Sequence, residues 1–238
     1  MEAAIVEQLR RSGEIGLHHS LVNAPLIYDS AGREALTGLY QSYIDIGNEA
    51  CLPFLMCTPT WRANKTRVYE SGLRRSINAD AADFMKEIRD TQTGSRSVIK
   101  VGGMIGCKND CYRPDEGLSA ADSEQFHSWQ IEQLADAGVD FLIAVTLPNV
   151  AEATGIAKAM AATGVQYIIS FVINRSGYVL DGTSLHEAID YIDSNTAIKP
   201  LGYMVNCAYP SFLSAVRQPA GLFSRLIGYQ ANASSLDH

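Results

Sequence analysis

The sequence predicts an α/β protein of the (β/α)8 TIM-barrel type, incomplete, with about six strands visible. Three observations predict it. Six short runs are almost continuously hydrophobic, as parallel strands covered on both faces are. Amphipathic stretches of helical period separate several of them, in a strand–helix rhythm of roughly 30 residues. Several runs end in polar or reactive side chains, where a barrel carries its chemistry.

CLPFLMC (51–57) is the first run and SVIKVGGMIG (97–106) the second. SEQFHSWQIEQLADAG (123–138) then has helical period. Its expected apolar stripe is Phe126, Trp129, Ile131 and Leu134, and Gly138 is placed as a C-cap. The third run, VDFLIAVTLP (139–148), leads into a second helical stretch, NVAEATGIAKAMAATG (149–164), which also ends on glycine. The fourth run is QYIISFVIN (166–174). In SLHEAIDYIDS (184–194), Ser184 with Glu187 three residues on predicts a capping box. IKPLGYMVNC (198–207) and RLIGYQANAS (225–234) complete the six.

An open doubly wound sheet is the rival architecture. No Gly-x-Gly-x-x-Gly follows the first run, and there is no P-loop. Thr58, Thr60, Cys107, Thr146, Asn174, Cys207 and Asn232 instead stand at the exits of different runs, which favours a barrel. No linker or low-complexity segment divides the chain, so residues 1–238 read as one domain.

Composition narrows the function. The 238 residues carry a formal net charge of −7 with no basic run, which argues against nucleic acid as the main partner. No apolar stretch reaches about 18 residues, so no membrane span is expected. The first residues hold acids among apolar residues and lack the pattern of a signal peptide. Five scattered cysteines do not make a secreted disulfide framework, and a reduced, cytoplasmic protein is expected.

Individual residues are read conservatively. Cys207 follows Asn206 at a strand exit, and reads equally as a small core residue or a metal ligand. Thr58, Thr60 and Thr146 suit substrate hydrogen bonds at a barrel mouth, or the capping of following helices. Cys107 and Cys111 flank the loop CKNDC and read as a solvent-near thiol pair. His127 is expected to pack within its helix, and His18 and His19 to lie on the surface. Asp181-Gly182 reads as a turn into the next helix.

Five segments in order carry a resemblance: LTGLYQSYIDIGNEACLPFLMCTPTWRAN (36–64), GMIGCKNDCYRPDEGLSAADSEQFHSWQIEQLADAGVDFLIAVTLPNVAEA (103–153), ISFVINRSGYVLDGTSLHEAI (169–189), VNCAYPSF (205–212) and GYQANAS (228–234). Together they resemble the homocysteine S-methyltransferases, zinc-dependent (β/α)8 barrels. The resemblance implies transfer of a methyl group from a sulfonium or quaternary ammonium donor to the thiol of homocysteine, giving methionine. It implies a zinc held by three thiolates, which activates that thiol. Cys207 matches one of the three. Asn206, Thr146 and Thr58 are the substrate-binding candidates.

The sequence departs from the family pattern in three places. The adjacent Cys-Cys pair that completes the family's zinc site is absent, as is the first strand with its Asp-Gly. Val145 stands where the family carries a glutamate that holds the substrate amino group. One zinc ligand is therefore visible and two are missing. A degenerate or truncated barrel, acting as a binding or assembly subunit without catalysis, is the alternative expectation. Exposed sheet edges of an incomplete barrel are expected to be covered by a partner chain, a homo-oligomer being one form of this, or else to leave the chain poorly stable alone.

Overall fold

The computed structural model describes residues 1–92, 98–214 and 218–235. Six strands alternate with helices and every paired strand is parallel, the incomplete (β/α)8 arrangement expected. The strands are β1 Phe54–Cys57, β2 Ile99–Ile105, β3 Phe141–Leu147, β4 Tyr167–Phe171, β5 Gly202–Ala208 and β6 Leu226–Ala231. The helices are α1 Ile5–Ser12, α2 Ser30–Glu49, α3 Lys65–Glu70, α4 Ile77–Asp90, α5 Ala120–Asp136, α6 Val150–Ala162 and α7 Leu185–Asn195. Ser97, the first residue of the predicted second run, lies outside the described residues. No helix among the described residues is long and apolar enough to cross a membrane.

The chain forms two compact units. The first comprises Met1–Met104 and Glu132–Phe141; the second comprises Ile105–Ile131 and Leu142–His238.

In the first unit β1 pairs with β2 from Phe54↔Ile99 to Cys57↔Gly102. Helix α2 buries Leu36, Tyr40 and Ile44, spaced every fourth residue as one helical face requires. Asp29 caps it by accepting from the Gly32 N–H at 2.8 Å. Gly102 has no side chain because the Phe141 ring occupies that space; a Cβ there would stand 2.3 Å from the ring. The Gly-Val-Asp sequence at 138–140 has a local cause. Gly138 turns the chain at φ +74°, Val139 is buried, and Asp140 accepts from the Val101 N–H and the Lys100 ammonium, both at 2.8 Å.

In the second unit β3, β4, β5 and β6 form a parallel ladder in that order. Every residue of β3 and β4 is buried, as continuous hydrophobic runs predict. Strand β6 differs: Ile227 is half exposed, and only partial cover reaches the rest. The described part of the β5–β6 connection explains this, since it holds two short 3-10 helices, Pro210–Phe212 and Ala220–Ser224, in place of a covering α-helix. The predicted capping box of α7 is present, Ser184 with Glu187. At the base of β5 and β6, Arg225 reaches both oxygens of Asp193 at 3.0 and 3.1 Å, and the Tyr203 hydroxyl donates to the same carboxylate at 2.9 Å.

The buried face of α5 departs from the expected stripe. Ser123, His127, Gln130, Ile131 and Leu134 are buried, while Phe126 and Trp129 are only half buried. Polar partners decide the rotation: Ser123 donates to the Glu152 carbonyl at 2.7 Å and His127 meets the Glu152 carboxylate at 3.0 Å. A buried polar group with a partner packs as well as an apolar one.

Gly155 marks the closest approach of α6 to the start of α5. A Cβ there would stand 2.2 Å from the Ala120 carbonyl oxygen and 2.5 Å from the Ser123 Cβ. Alanine gains about 1 kcal/mol over glycine in a free helix, but overpacking against backbone costs about 1–3 kcal/mol or more. Gly155→Ala is therefore expected to destabilise the fold by about 2 kcal/mol in urea titration. An increase in stability would refute this close approach.

Candidate functional site

Two strand exits in the second unit carry strained backbone. Thr146 at the end of β3 has φ +58° and Cys207 at the end of β5 has φ +53°. Both are left-handed, a conformation that costs L-residues about 1–2 kcal/mol and is rare for a β-branched threonine. Ladder register breaks at the same places, between Ala144 and Leu147 and between Asn206 and Ala208. These are bulges, and bulges re-aim side chains at the ends of strands.

Asn206 holds both exits. Its Oδ1 accepts from the Thr146 N–H at 2.9 Å and from the Ser170 hydroxyl at 2.7 Å. Its Nδ2 donates to the Thr146 hydroxyl at 2.7 Å and to the Cys207 sulfur at 3.2 Å. An amide offers two donors and two acceptor positions, and all four are used. Asn206 thus ties β3, β4 and β5 together at their carboxyl ends. The Thr146 hydroxyl lies 4.0 Å from the Cys207 sulfur.

Cys207 lines a cavity of about 260 Å³, with Tyr112, Val172, Asn174, Tyr209, Phe212 and Asn232 among the other walls. The Tyr112 hydroxyl is hydrogen-bonded to Cys207. Its ionisation is pushed well above the ordinary phenol range by burial first, then by negative charge on Cys207 and Cys111 and by that bond. It therefore remains a proton donor at neutral pH. The Tyr229 hydroxyl donates to the Tyr209 carbonyl at 2.8 Å and fixes the wall, and burial pushes the Tyr229 phenol up to about 12. The Tyr209 and Phe212 rings meet edge-on at 6.1 Å, and the Arg175 guanidinium lies 5.7 Å from the centre of the Phe212 ring.

Among the four residues singled out from sequence, Cys207, Asn206 and Thr146 come together. Of these three only Cys207 lines the cavity. Thr58 belongs to the first unit. The Thr60 hydroxyl donates to the Met104 carbonyl at 2.6 Å, so the Thr58 hydroxyl donates to Thr60, also at 2.6 Å, and accepts from the Met104 N–H at 2.9 Å. Both threonines join the exit of β1 to β2. Cys107 and Cys111 are not near solvent, as the loop sequence suggested; they are 1 % and 4 % exposed. The Cys107 thiol donates to the Asn109 carbonyl at 3.5 Å. His127 is packed in its helix as expected, fully buried.

Four contributors escaped sequence reasoning. Tyr112 sits in a polar loop with no periodicity to mark it. Tyr209 and Phe212 follow the β5 exit within a turn that reads as punctuation. Glu152 carried a signal: it is a lone acid on a helix otherwise apolar, three residues after the N-cap Asn149.

Zinc takes four protein ligands, or three and a substrate atom. No group of three His, Cys, Asp or Glu side chains suited to a metal occurs among the described residues. Cys207 is a single ligand and does not make a zinc site with its neighbours.

Comparison with known proteins follows the same direction as the geometry. The model of the homocysteine S-methyltransferase family matches residues 1–237. The homocysteine S-methyltransferase of Escherichia coli strain K12 is 32% identical over 97 residues, which are 40% of this chain and 31% of that protein. The homocysteine S-methyltransferase YbgG of Bacillus subtilis strain 168 is 24% identical over 221 residues, 87% of this chain and 68% of that protein. Among solved structures, the metallated form of the homocysteine methyltransferase MmuM from Escherichia coli superposes with a TM-score of 0.78 at 20% identity, covering 94% of this chain and 81% of that one. Its oxidised form gives 0.73 over 85% of this chain and 71% of that one, also at 20% identity. At this identity the superpositions show the fold. The match to the family model spans almost the whole sequence, and the chain belongs to the homocysteine S-methyltransferase family.

Proposed function

We propose that the chain transfers a methyl group from a sulfonium or quaternary ammonium donor to the thiol of homocysteine, giving methionine. The observation that carries the reading is the Cys207 thiol, held at a strained strand exit inside an aromatic-walled cavity, in a chain whose family match runs over residues 1–237. Both substrates are small molecules, and the cavity is of that scale.

The chain's own residues supply positioning and polarity. The Tyr112 and Tyr209 rings in the cavity wall suit a cationic donor, since a cation over an aromatic ring gains about 0.5–2 kcal/mol. The homocysteine thiol releases its proton to solvent before attack, and the thiolate loses its charge as the donor leaves as a neutral thioether or amine; the Tyr112 phenol, protonated at neutral pH, can donate to that thiolate in place of its bond to Cys207. A free thiol has a pKa of about 8.5, so a hydrogen-bond donor beside it raises the thiolate fraction. Methyl transfer between two bound molecules then depends on alignment. In the proposed family chemistry Cys207 is the zinc ligand. One thiol among the described residues does not fit a zinc site.

The test uses the purified chain with homocysteine and either a sulfonium amino acid or a betaine, with methionine read by mass spectrometry. Donor-dependent methionine is expected, and Cys207→Ser is expected to cut the rate by about 100-fold or more, with the melting transition retained. Addition of zinc salts forms a second arm. Homocysteine binding without methionine in either arm would favour the binding-subunit reading. Absence of both binding and turnover would overturn the proposal.

A further inference from the structure

Glu152 lies on the first turn of α6, 1 % exposed, and its carboxylate is used by neither the cavity nor a helix cap. Its Oε1 accepts from the Lys108 N–H at 2.8 Å and meets the His127 ring nitrogen at 3.0 Å. Its Oε2 accepts from the Leu118 N–H at 3.3 Å. One carboxylate thus holds both ends of the loop after β2, at positions ten residues apart. The middle of the loop is pinned from the same turn, where the Asn149 amide donates to the Pro114 carbonyl at 3.2 Å. Gly117 permits this approach, because a Cβ there would stand 2.8 Å from the Asn149 amide carbon.

That loop carries Cys107, Cys111, Tyr112 and Pro114. Tyr112 and Pro114 wall the cavity, and Tyr112 bonds Cys207. Its described anchors include these hydrogen bonds to α6 and to its N-cap. Burial works to raise the Glu152 carboxyl, but the bonds from His127 and Lys108 outweigh it and hold the group below its usual range. The carboxylate is therefore ionised at neutral pH, where its hydrogen bonds are strongest.

We propose that Glu152, oriented by His127, is the latch that holds the 107–118 loop down so that Tyr112 stays against Cys207. Glu152 and His127 are positioning residues, since neither touches the cavity. The latch rests on the functional reading only for the role of Tyr112 in methyl transfer. Its geometry is independent of that role.

Cysteine footprinting tests it without reference to turnover. The full chain is treated with iodoacetamide and each cysteine is followed by peptide mass mapping. Glu152→Gln keeps the shape but turns an amide N–H₂ toward a backbone N–H. Alkylation of Cys107, Cys111 and Cys207 is expected to accelerate about tenfold, the shift in local opening that one lost charge-assisted hydrogen bond brings. Cys57, fully buried in the first unit, is the internal control and is expected to keep its rate. Equal acceleration at all four sites would mean general loosening and would overturn the latch, as would unchanged rates. His127→Asn is expected to give the same pattern at smaller amplitude, and serves if Glu152→Gln does not fold; acceleration at Cys57 alone would count against the latch. Tyr112→Phe is expected to change the rate at Cys207 but not at Cys107, because the loop stays pinned. If methionine forms, Glu152→Gln is expected to lower kcat/KM several-fold, and Tyr112→Phe to lower it without further loss in the double variant. A chain with no methyl transfer but with the expected footprint would remove the functional reading and leave the latch intact.

Discussion

Asn206→Ala is expected to lower the unfolding free energy by about 3–5 kcal/mol. The substitution leaves the Thr146 N–H and the Ser170 hydroxyl without their acceptor, and the Thr146 hydroxyl without its donor. All three groups belong to buried residues. A buried polar group stripped of its partner costs about 1–3 kcal/mol. Relaxation of the two left-handed residues returns part of that, about 1–3 kcal/mol each at most. The losses win because the Thr146 N–H is bulged out of the ladder and has no strand carbonyl to fall back on. Urea titration of the variant measures the effect. A change below about 1 kcal/mol would show that water replaces the amide and that the three-strand tie is not what holds these exits.

Glu2→Gln is expected to flatten the pH dependence of stability between pH 4.5 and 7. Glu2 is buried, and its Oε1 accepts from the Cys57 N–H at 3.0 Å. Burial raises its carboxyl from 4.5 to about 7, against the opposing pull of backbone hydrogen bonds and the amino terminus. A raised acid favours the protonated form in the folded state. The stabilisation is therefore complete below pH 4.5 and is lost as pH rises to about 7. The interval corresponds to about 3 kcal/mol. The same burial, followed by the charge of Glu2, pushes the Cys57 thiol well up, and the Tyr40 hydroxyl, which donates to the Cys57 carbonyl at 2.9 Å, is raised for the same reasons. All three groups prefer to be neutral. The glutamine variant keeps an acceptor for the Cys57 N–H and has no proton to lose. Denaturation midpoints measured from pH 5 to 8 should fall for the parent chain and stay level for the variant. Parallel curves would refute a carboxyl raised by burial at residue 2.

The strand runs were legible because parallel strands buried on both faces admit little but apolar residues. β3 and β4 match their predicted runs within a few residues. The capping box at Ser184 and the turns at Gly138 and Gly164 were legible for an equally local reason, since each is fixed by one or two side chains or by a positive φ. The face of α5 was not. Hydrophobicity alone points to Phe126 and Trp129, but His127 and Ser123 were drawn inward by a partner 25 or more residues away. The burial of Cys107 and Cys111 was hidden for the same reason, because the loop is held by the Glu152 carboxylate on α6, more than 30 residues further along the chain.

The sequence by itself determined the strand–helix order, the incomplete barrel class, the position of Cys207 at a strand exit and the family. The first three depend on composition, period and short motifs, which act over a few residues, while the family rests on the resemblance of ordered segments such as 103–153 and 205–212. The tertiary structure alone decided that Asn206 spends its whole amide on Thr146, Ser170 and Cys207, that Thr58 is tied to Met104, and that Tyr112 reaches the Cys207 sulfur. Apart from the Asn206–Cys207 bond, each of these is a hydrogen bond between residues far apart in the chain. Its geometry exists only once separate strands and loops have been brought within about 3 Å of one another.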